Sequence, residues 1–238
     1  MGAVATAATY AVLPGSGSAG LVWERAAAEL SGATVLPLPD APDVPAMALA
    51  LDRCVHSLPR PRVLVGSSLG ALVALELARG VEVDALVLIA AGFGIDVHAS
   101  VLARIAANPP GLLQAMARGV LADPSNEPLT ELIARDFEAR GQAVLLGHMT
   151  VLARHRAEPL PDPPPTLVLW GTKDPGVPLA AHVELALRCN GALVPIADAG
   201  HLPYLEQPEE TVRWIRLAGS RMLAPRVSGD GRYITNLN

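Results

Sequence analysis

The chain reads as an α/β protein built on an open, mostly parallel sheet. Three observations carry that reading. Short aliphatic or β-branched runs alternate along the chain with longer stretches of helical periodicity. The short runs end at Gly, Pro or Ser. Most of them are almost wholly apolar, as strands are when helices cover both faces of a parallel sheet.

The expected strands are Thr9–Leu13, Thr34–Leu38, Arg62–Gly66, Ala85–Ala90, Thr166–Trp170 and Ala192–Ile196. The expected helices between and after them are Leu21–Leu30, Val44–Leu58, Leu69–Arg79, Leu179–Arg188 and Glu209–Leu217. Six strands with right-handed helical crossovers follow from that order. One stretch departs from it. From Asp96 to Arg156 there is no strand candidate, only helices expected at Ala99–Ala107, Gly111–Leu121, Pro128–Arg140 and Gln142–Arg156. The hydrophobic residues of LTELIARDFEA recur at three- and four-residue spacing. The stiff connector Pro159-Leu-Pro-Asp-Pro-Pro-Pro165 returns the chain to the alternation. Either this is an ordinary helical insertion packed on the sheet, or it is a lid over a site; its position beside the motif described next favours the lid. The expected organisation is a core of residues 1–95 and 162–218, a helical cap over 96–161 and a polar tail from Gly219 to Asn238.

The central chemical signal is Gly66-Ser67-Ser68-Leu69-Gly70, placed where a strand runs directly into a helix. So sharp a turn strains the residue at its apex and admits only small residues two places before and after it. In return the Ser68 hydroxyl is exposed above the strand's C-terminal end, at the positive end of a helix. A serine hydroxyl needs a neighbouring base to act as a nucleophile near neutral pH. Six histidines are available. His56 and His182 fall on helices expected to be solvated, whereas His98, His148 and His155 fall in the insertion, where they line a pocket or face water. His201 alone sits in a loop after a strand, Asp198-Ala-Gly200-His201-Leu-Pro203, at the same sheet edge as Ser68. An imidazole base in turn needs an acid to fix its tautomer. Asp174 follows the fifth strand in Trp170-Gly-Thr-Lys-Asp174-Pro-Gly-Val-Pro178; Asp96 and Asp198 are its rivals. The order Ser68, Asp174, His201 matches one serine-triad fold and not the others. An oxyanion hole requires two convergent backbone N–H groups. Leu69 supplies one, and Ser16, in the loop Pro14-Gly15-Ser16-Gly17-Ser18-Ala19-Gly20, is chosen for the second.

These four motifs, in this order, resemble the α/β-hydrolase superfamily over residues 9–217. The family's elbow matches Gly66-Ser67-Ser68-Leu69-Gly70, its acid turn Gly171-Thr-Lys-Asp174-Pro-Gly-Val177-Pro178, and its histidine loop Gly200-His201-Leu-Pro203-Tyr-Leu-Glu206-Gln-Pro208. The pattern is similar to compact bacterial esterases, including the pimeloyl-carrier-protein methyl ester esterases. The resemblance implies an α/β-hydrolase fold with a cap and an acyl-enzyme mechanism on a small to medium apolar ester. Thioesterase, lactonase, perhydrolase and lyase chemistries remain open on the same scaffold, as does a non-catalytic ligand-binding protein. Two departures stand out. Pro14 replaces the histidine usual before Gly15, and the loop after the second strand is reduced to Leu38-Pro-Asp-Ala-Pro42. A serine at position 68 excludes the branches that use an aspartate nucleophile.

The bulk composition sets the outer bounds. A chain of 238 residues, 51% hydrophobic and 17% charged, suits one globular core. Its net charge of −5 with no basic block argues against a nucleic-acid partner. Its longest apolar runs, such as Ala85 to Ala91, are far short of the about 20 residues a membrane span needs. The opening MGAVATAATYAVLPG lacks a basic start, so no secretory signal is expected. Cys54 and Cys189 are expected as free thiols in a cytoplasmic protein. No cofactor or metal is expected. Oligomeric state is not legible.

Overall fold

The computed structural model describes residues 7–220, within which six strands form one sheet in the order β2-β1-β3-β4-β5-β6. The strands are β1 (Thr9–Leu13), β2 (Ala33–Val35), β3 (Arg62–Ser67), β4 (Ala85–Ile89), β5 (Thr166–Gly171) and β6 (Ala192–Ile196), and every neighbouring pair is parallel. Burial grades from the centre outward. All of β3 and β4 is buried, whereas β2 and β6 at the two edges are partly exposed. Although the central strands are apolar throughout, their side chains still alternate between faces. Ala11, Leu13, Leu64 and Leu88 join one core, and Tyr10, Val12, Val65 and Ile89 join the other.

Helices fill both faces. A single 3-10 turn at Leu21–Trp23 leads into α1 (Glu24–Ala28), followed by α2 (Val44–His56) and α3 (Leu69–Leu77). Between β4 and β5 come α4 (Ala99–Ala107), α5 (Leu112–Arg118), α6 (Glu127–Arg140) and α7 (Gln142–Arg154), the helical insertion. The chain then adds α8 (Leu179–Arg188), the short α9 (Pro203–Glu206) and α10 (Pro208–Gly219). Helix α3 is buried at every residue but Glu76, because it is wedged between the sheet and its neighbours.

Expected and observed elements differ most in four places, and elsewhere strand and helix ends move by three residues or fewer. The second strand pairs only over Ala33–Val35, since Pro37 and Pro39 lack the N–H that a longer ladder would need. The helix expected over Leu21–Leu30 is a 3-10 turn plus five α residues. The short α9 was not expected; Pro203 starts it at the first helical position. Helix α10 reaches Gly219, so the expected tail begins at Ser220 or later, and its remainder, 221–238, lies outside the described residues, as do residues 1–6. Among the described residues no helix is long and apolar enough to cross a membrane.

The strand order reverses between β1 and β3. The chain steps from β1 out to β2, then crosses back to β3 on the other side. Ligands of open α/β sheets bind in the crevice at such a reversal, beyond the strands' C-terminal ends. Here Leu13 pairs with Gly66, so the loops after β1 and β3 leave the sheet side by side.

Candidate active site

The turn after β3 has the geometry its sequence demands. Ser68 sits at φ 54°, ψ −120°, a strained conformation for a residue with a Cβ, and is 7% exposed. Its N–H donates to the Ile89 carbonyl at 2.9 Å, which ties the elbow to β4. A Cβ on Gly66 would fall 2.4 Å from the Gly70 carbonyl oxygen, and one on Gly70 would fall 2.1 Å from that of Leu13. Both positions therefore require glycine. Leu69 opens α3, so its N–H has no partner within the helix.

Asp174 and His201 meet at the same edge. His201 Nδ1 lies 3.0 Å from each carboxylate oxygen of Asp174, whose side chain is fully buried. The carboxylate also accepts from the Gly176 and Val177 N–H groups at 2.8 and 3.0 Å. Burial works against its charge, yet the His201 bond and these backbone donors hold its carboxyl below the usual aspartate value. The rival acids are paired with cations, although Asp96 also lines the cavity that Ser68 and His201 share. Asp96 is exposed and pairs with Arg156 at 2.7 Å, and Asp198 is exposed and pairs with Lys173 at 2.7 Å. Glu206 fastens the histidine loop by accepting from Gly200 N–H at 2.9 Å and Ala122 N–H at 2.7 Å.

Ser68 and His201 line one cavity of about 500 Å³, together with Gly15 and Ser16. No side-chain hydrogen bond joins Ser68 to His201 among the described residues. A shared cavity wall is the relation the structure gives them. The rest of the wall is mostly apolar and comes from the insertion, through residues such as Ile105, Met116, Phe137, Leu145 and Met149. The volume is that of a typical small-molecule site.

The loop after β1 runs beneath the insertion. A Cβ on Gly15 would lie 3.4 Å from that of Ser68, so the loop backbone passes directly beside the nucleophile candidate. Gly17 adopts φ 67° and is pressed against Leu145 of α7. Neither Ser16 N–H nor Leu69 N–H donates to a protein acceptor among the described residues. Two insertion residues that sequence reading did not single out as site residues hold this loop. Asp136 on α6 accepts from the Ala19 and Leu21 N–H groups at 3.0 and 2.8 Å. His148 on α7 accepts from Gly17 N–H at 3.1 Å through Nδ1, while its Nε2 lies 2.9 Å from the Pro39 carbonyl. A signal for both existed: each is a polar residue on the buried stripe of an amphipathic helix. The expectation that His182 is solvated is corrected. It is fully buried on α8, with Nδ1 3.1 Å from the Pro178 carbonyl. Helix α8 carries apolar residues on both faces, and it is Leu179, Val183 and Leu187 that are exposed. His56 and His98 are exposed, and His98 caps α4. Both cysteines are free, Cys54 exposed and Cys189 buried.

Comparison with solved structures returns the same architecture. An esterase from Thermogutta terrifontis is 23% identical, with a TM-score of 0.74 over 90% of this chain and 92% of that one. An esterase from Exiguobacterium antarcticum is 17% identical, with a TM-score of 0.75 over 88% and 91%. A 2-hydroxy-6-oxo-6-phenylhexa-2,4-dienoate hydrolase from a Rhodococcus is 19% identical, with a TM-score of 0.70 over 89% and 90%. No curated protein matches the sequence. Residues 5–214 match the profile of the Alpha/beta hydrolase family, and with that span, this sheet order and this elbow, the chain belongs to that family.

Proposed function

We propose that the chain is a serine hydrolase that cleaves carboxylic esters with small to medium apolar groups. The observation that carries the reading is the His201 ring, bonded to Asp174 and sharing a cavity wall with the strained Ser68. Ser68 Oγ attacks the ester carbonyl carbon and its proton passes to His201 Nε2. Asp174 holds Nδ1–H and stabilises the imidazolium. The Leu69 and Ser16 N–H groups receive the oxyanion, each worth about 3–4 kcal/mol in enzymes of this type. The C–O bond then breaks, and the alcohol leaves with the proton from His201. Water, deprotonated by the same imidazole, releases the acid and restores Ser68.

Helices α4–α7 act as the cap of this site, and their apolar lining selects the acyl or alkyl group. Esterase structures among the solved neighbours support that choice of reaction. Free thiols agree with work in a reducing compartment, the cytoplasm. A panel of p-nitrophenyl esters from acetate to dodecanoate, with matching thioesters and lactones, tests the reading. Turnover should favour apolar oxygen esters and vanish in Ser68→Ala. Turnover confined to thioesters or lactones would replace the substrate class, and activity retained in Ser68→Ala would overturn the mechanism.

A further inference from the structure

We propose that Asp136 and His148 are positioning residues for the oxyanion hole, so that the cap supplies the support the loop's own sequence lacks. This rests on the assignment of Ser16 N–H as an oxyanion donor. A loop of the composition Gly15-Ser-Gly-Ser-Ala-Gly20 has little conformational preference of its own. Pro14, at its start, has no N–H and no side-chain donor with which to brace it. The bracing comes from the other side of the cavity. Of the six residues Ser16–Leu21, three donate their N–H to the cap: Gly17 to His148, and Ala19 and Leu21 to Asp136. Gly20 N–H is taken by Ser18 Oγ at 3.0 Å. Ser16 N–H alone has no protein acceptor among the described residues, and Ser16 lines the cavity that Ser68 and His201 share.

Asp136 and His148 are each 1% exposed, and neither forms a salt bridge among the described residues. Accepting from Gly17 leaves His148 Nδ1 without a proton, and donating from Nε2 to Pro39 fixes the neutral tautomer. The pair also spans the substrate-binding wall. Asp136 itself, Phe137 beside it and Met149 beside His148 all line the cavity. The residues of the cavity wall and those that grip the loop therefore sit on the same two helices.

Kinetics of Asp136→Ala, Asp136→Asn, His148→Leu and His148→Asn on the best ester of the panel test the proposal. Asn at 148 places an acceptor oxygen where Nδ1 stands, and Asn at 136 keeps one acceptor oxygen. Losing an oxyanion donor outright costs about 100- to 1,000-fold in kcat, so loosening the loop should cost Asp136→Ala and His148→Leu about 10- to 100-fold. KM should stay within about two-fold, and both Asn variants should recover most of the rate. Inhibition separates positioning from a collapsed pocket. A trifluoromethyl ketone, which forms an oxyanion on Ser68, should weaken in parallel with kcat/KM, whereas the corresponding amide should not. Unchanged kcat in both deletions would overturn the proposal. So would equal weakening of ketone and amide. Ser68→Ala in the same assay keeps the two ideas apart: if it is inactive while the cap variants are normal, only the positioning role falls.

Discussion

The sheet edge and the helical insertion each bring one buried aspartate and one histidine to the site, and the two pairs live under opposite electrostatics. Asp174 accepts from an imidazole that can become charged, and this, with two backbone donors, holds its carboxyl below the ordinary value despite burial. Asp136 is buried too, but only neutral donors face it, and burial raises its carboxyl above that value. His201 has an acid beside it; His148 has a carbonyl and an N–H, and burial lowers its pKa. On the proposed mechanism the first pair changes charge during the reaction, and the second stays as it is and holds backbone.

The largest expected effects fall on the first pair. His201→Ala should lose on the order of ten-thousand-fold or more in kcat, and Asp174→Asn about a thousand- to ten-thousand-fold, because the imidazole then loses its tautomer and its counter-charge. Stopped assays on the preferred ester measure both, and an Asp174→Asn enzyme within ten-fold of wild type would remove the acid from the mechanism. Because the reaction needs a neutral imidazole, kcat/KM should be lower under acidic conditions, and a rate that does not fall on acidification would count against His201.

Stability should separate the pairs next. Asp136 has a folded-state pKa above its unfolded one, so its contribution is favourable at low pH and is lost as pH rises. At pH 7 the ionised carboxylate is a cost. Asp136→Asn should therefore melt at the same or a higher temperature while keeping most of its kcat; a lower Tm would show that the charge itself is needed. His148, His155 and His182 are all lowered by burial from the ordinary 6.5. Their neutral rings favour folding above that value, and this stabilisation drains away as pH falls through the lowered values. Thermal melts between pH 7.5 and 5 should show a declining Tm, and His182→Asn should reduce the slope. The smallest effects belong to the rival acids. Asp96→Asn and Asp198→Asn should leave kcat/KM within about two-fold.

The same division decides what was legible in the sequence. β1, β6, α4 and α8 have the bounds their residues imply, since each is punctuated locally by Gly, Pro or a capping residue. The strained turn at Ser68 and the meeting of Asp174 with His201 were also readable, because each follows a strand within a short motif and the parallel sheet gathers such loops at one edge. Asp136 and His148 act on residues 115 and 131 positions away, and no spacing rule reaches that far. What could be read was narrower: a carboxylate and an imidazole on helix stripes that should be apolar. Pro14 stood out in the sequence as a missing brace for the loop after β1; that loop instead donates three N–H groups to the insertion. His182 misled for a related reason, since a helix with apolar residues on both faces does not reveal which face is inside.

The most direct measurement is mass spectrometry of the protein after treatment with a fluorophosphonate. The expected result is one adduct per chain, on the peptide carrying Ser68, with loss of ester hydrolysis in proportion to labelling. An unlabelled Ser68 in a preparation that still hydrolyses esters would contradict the account.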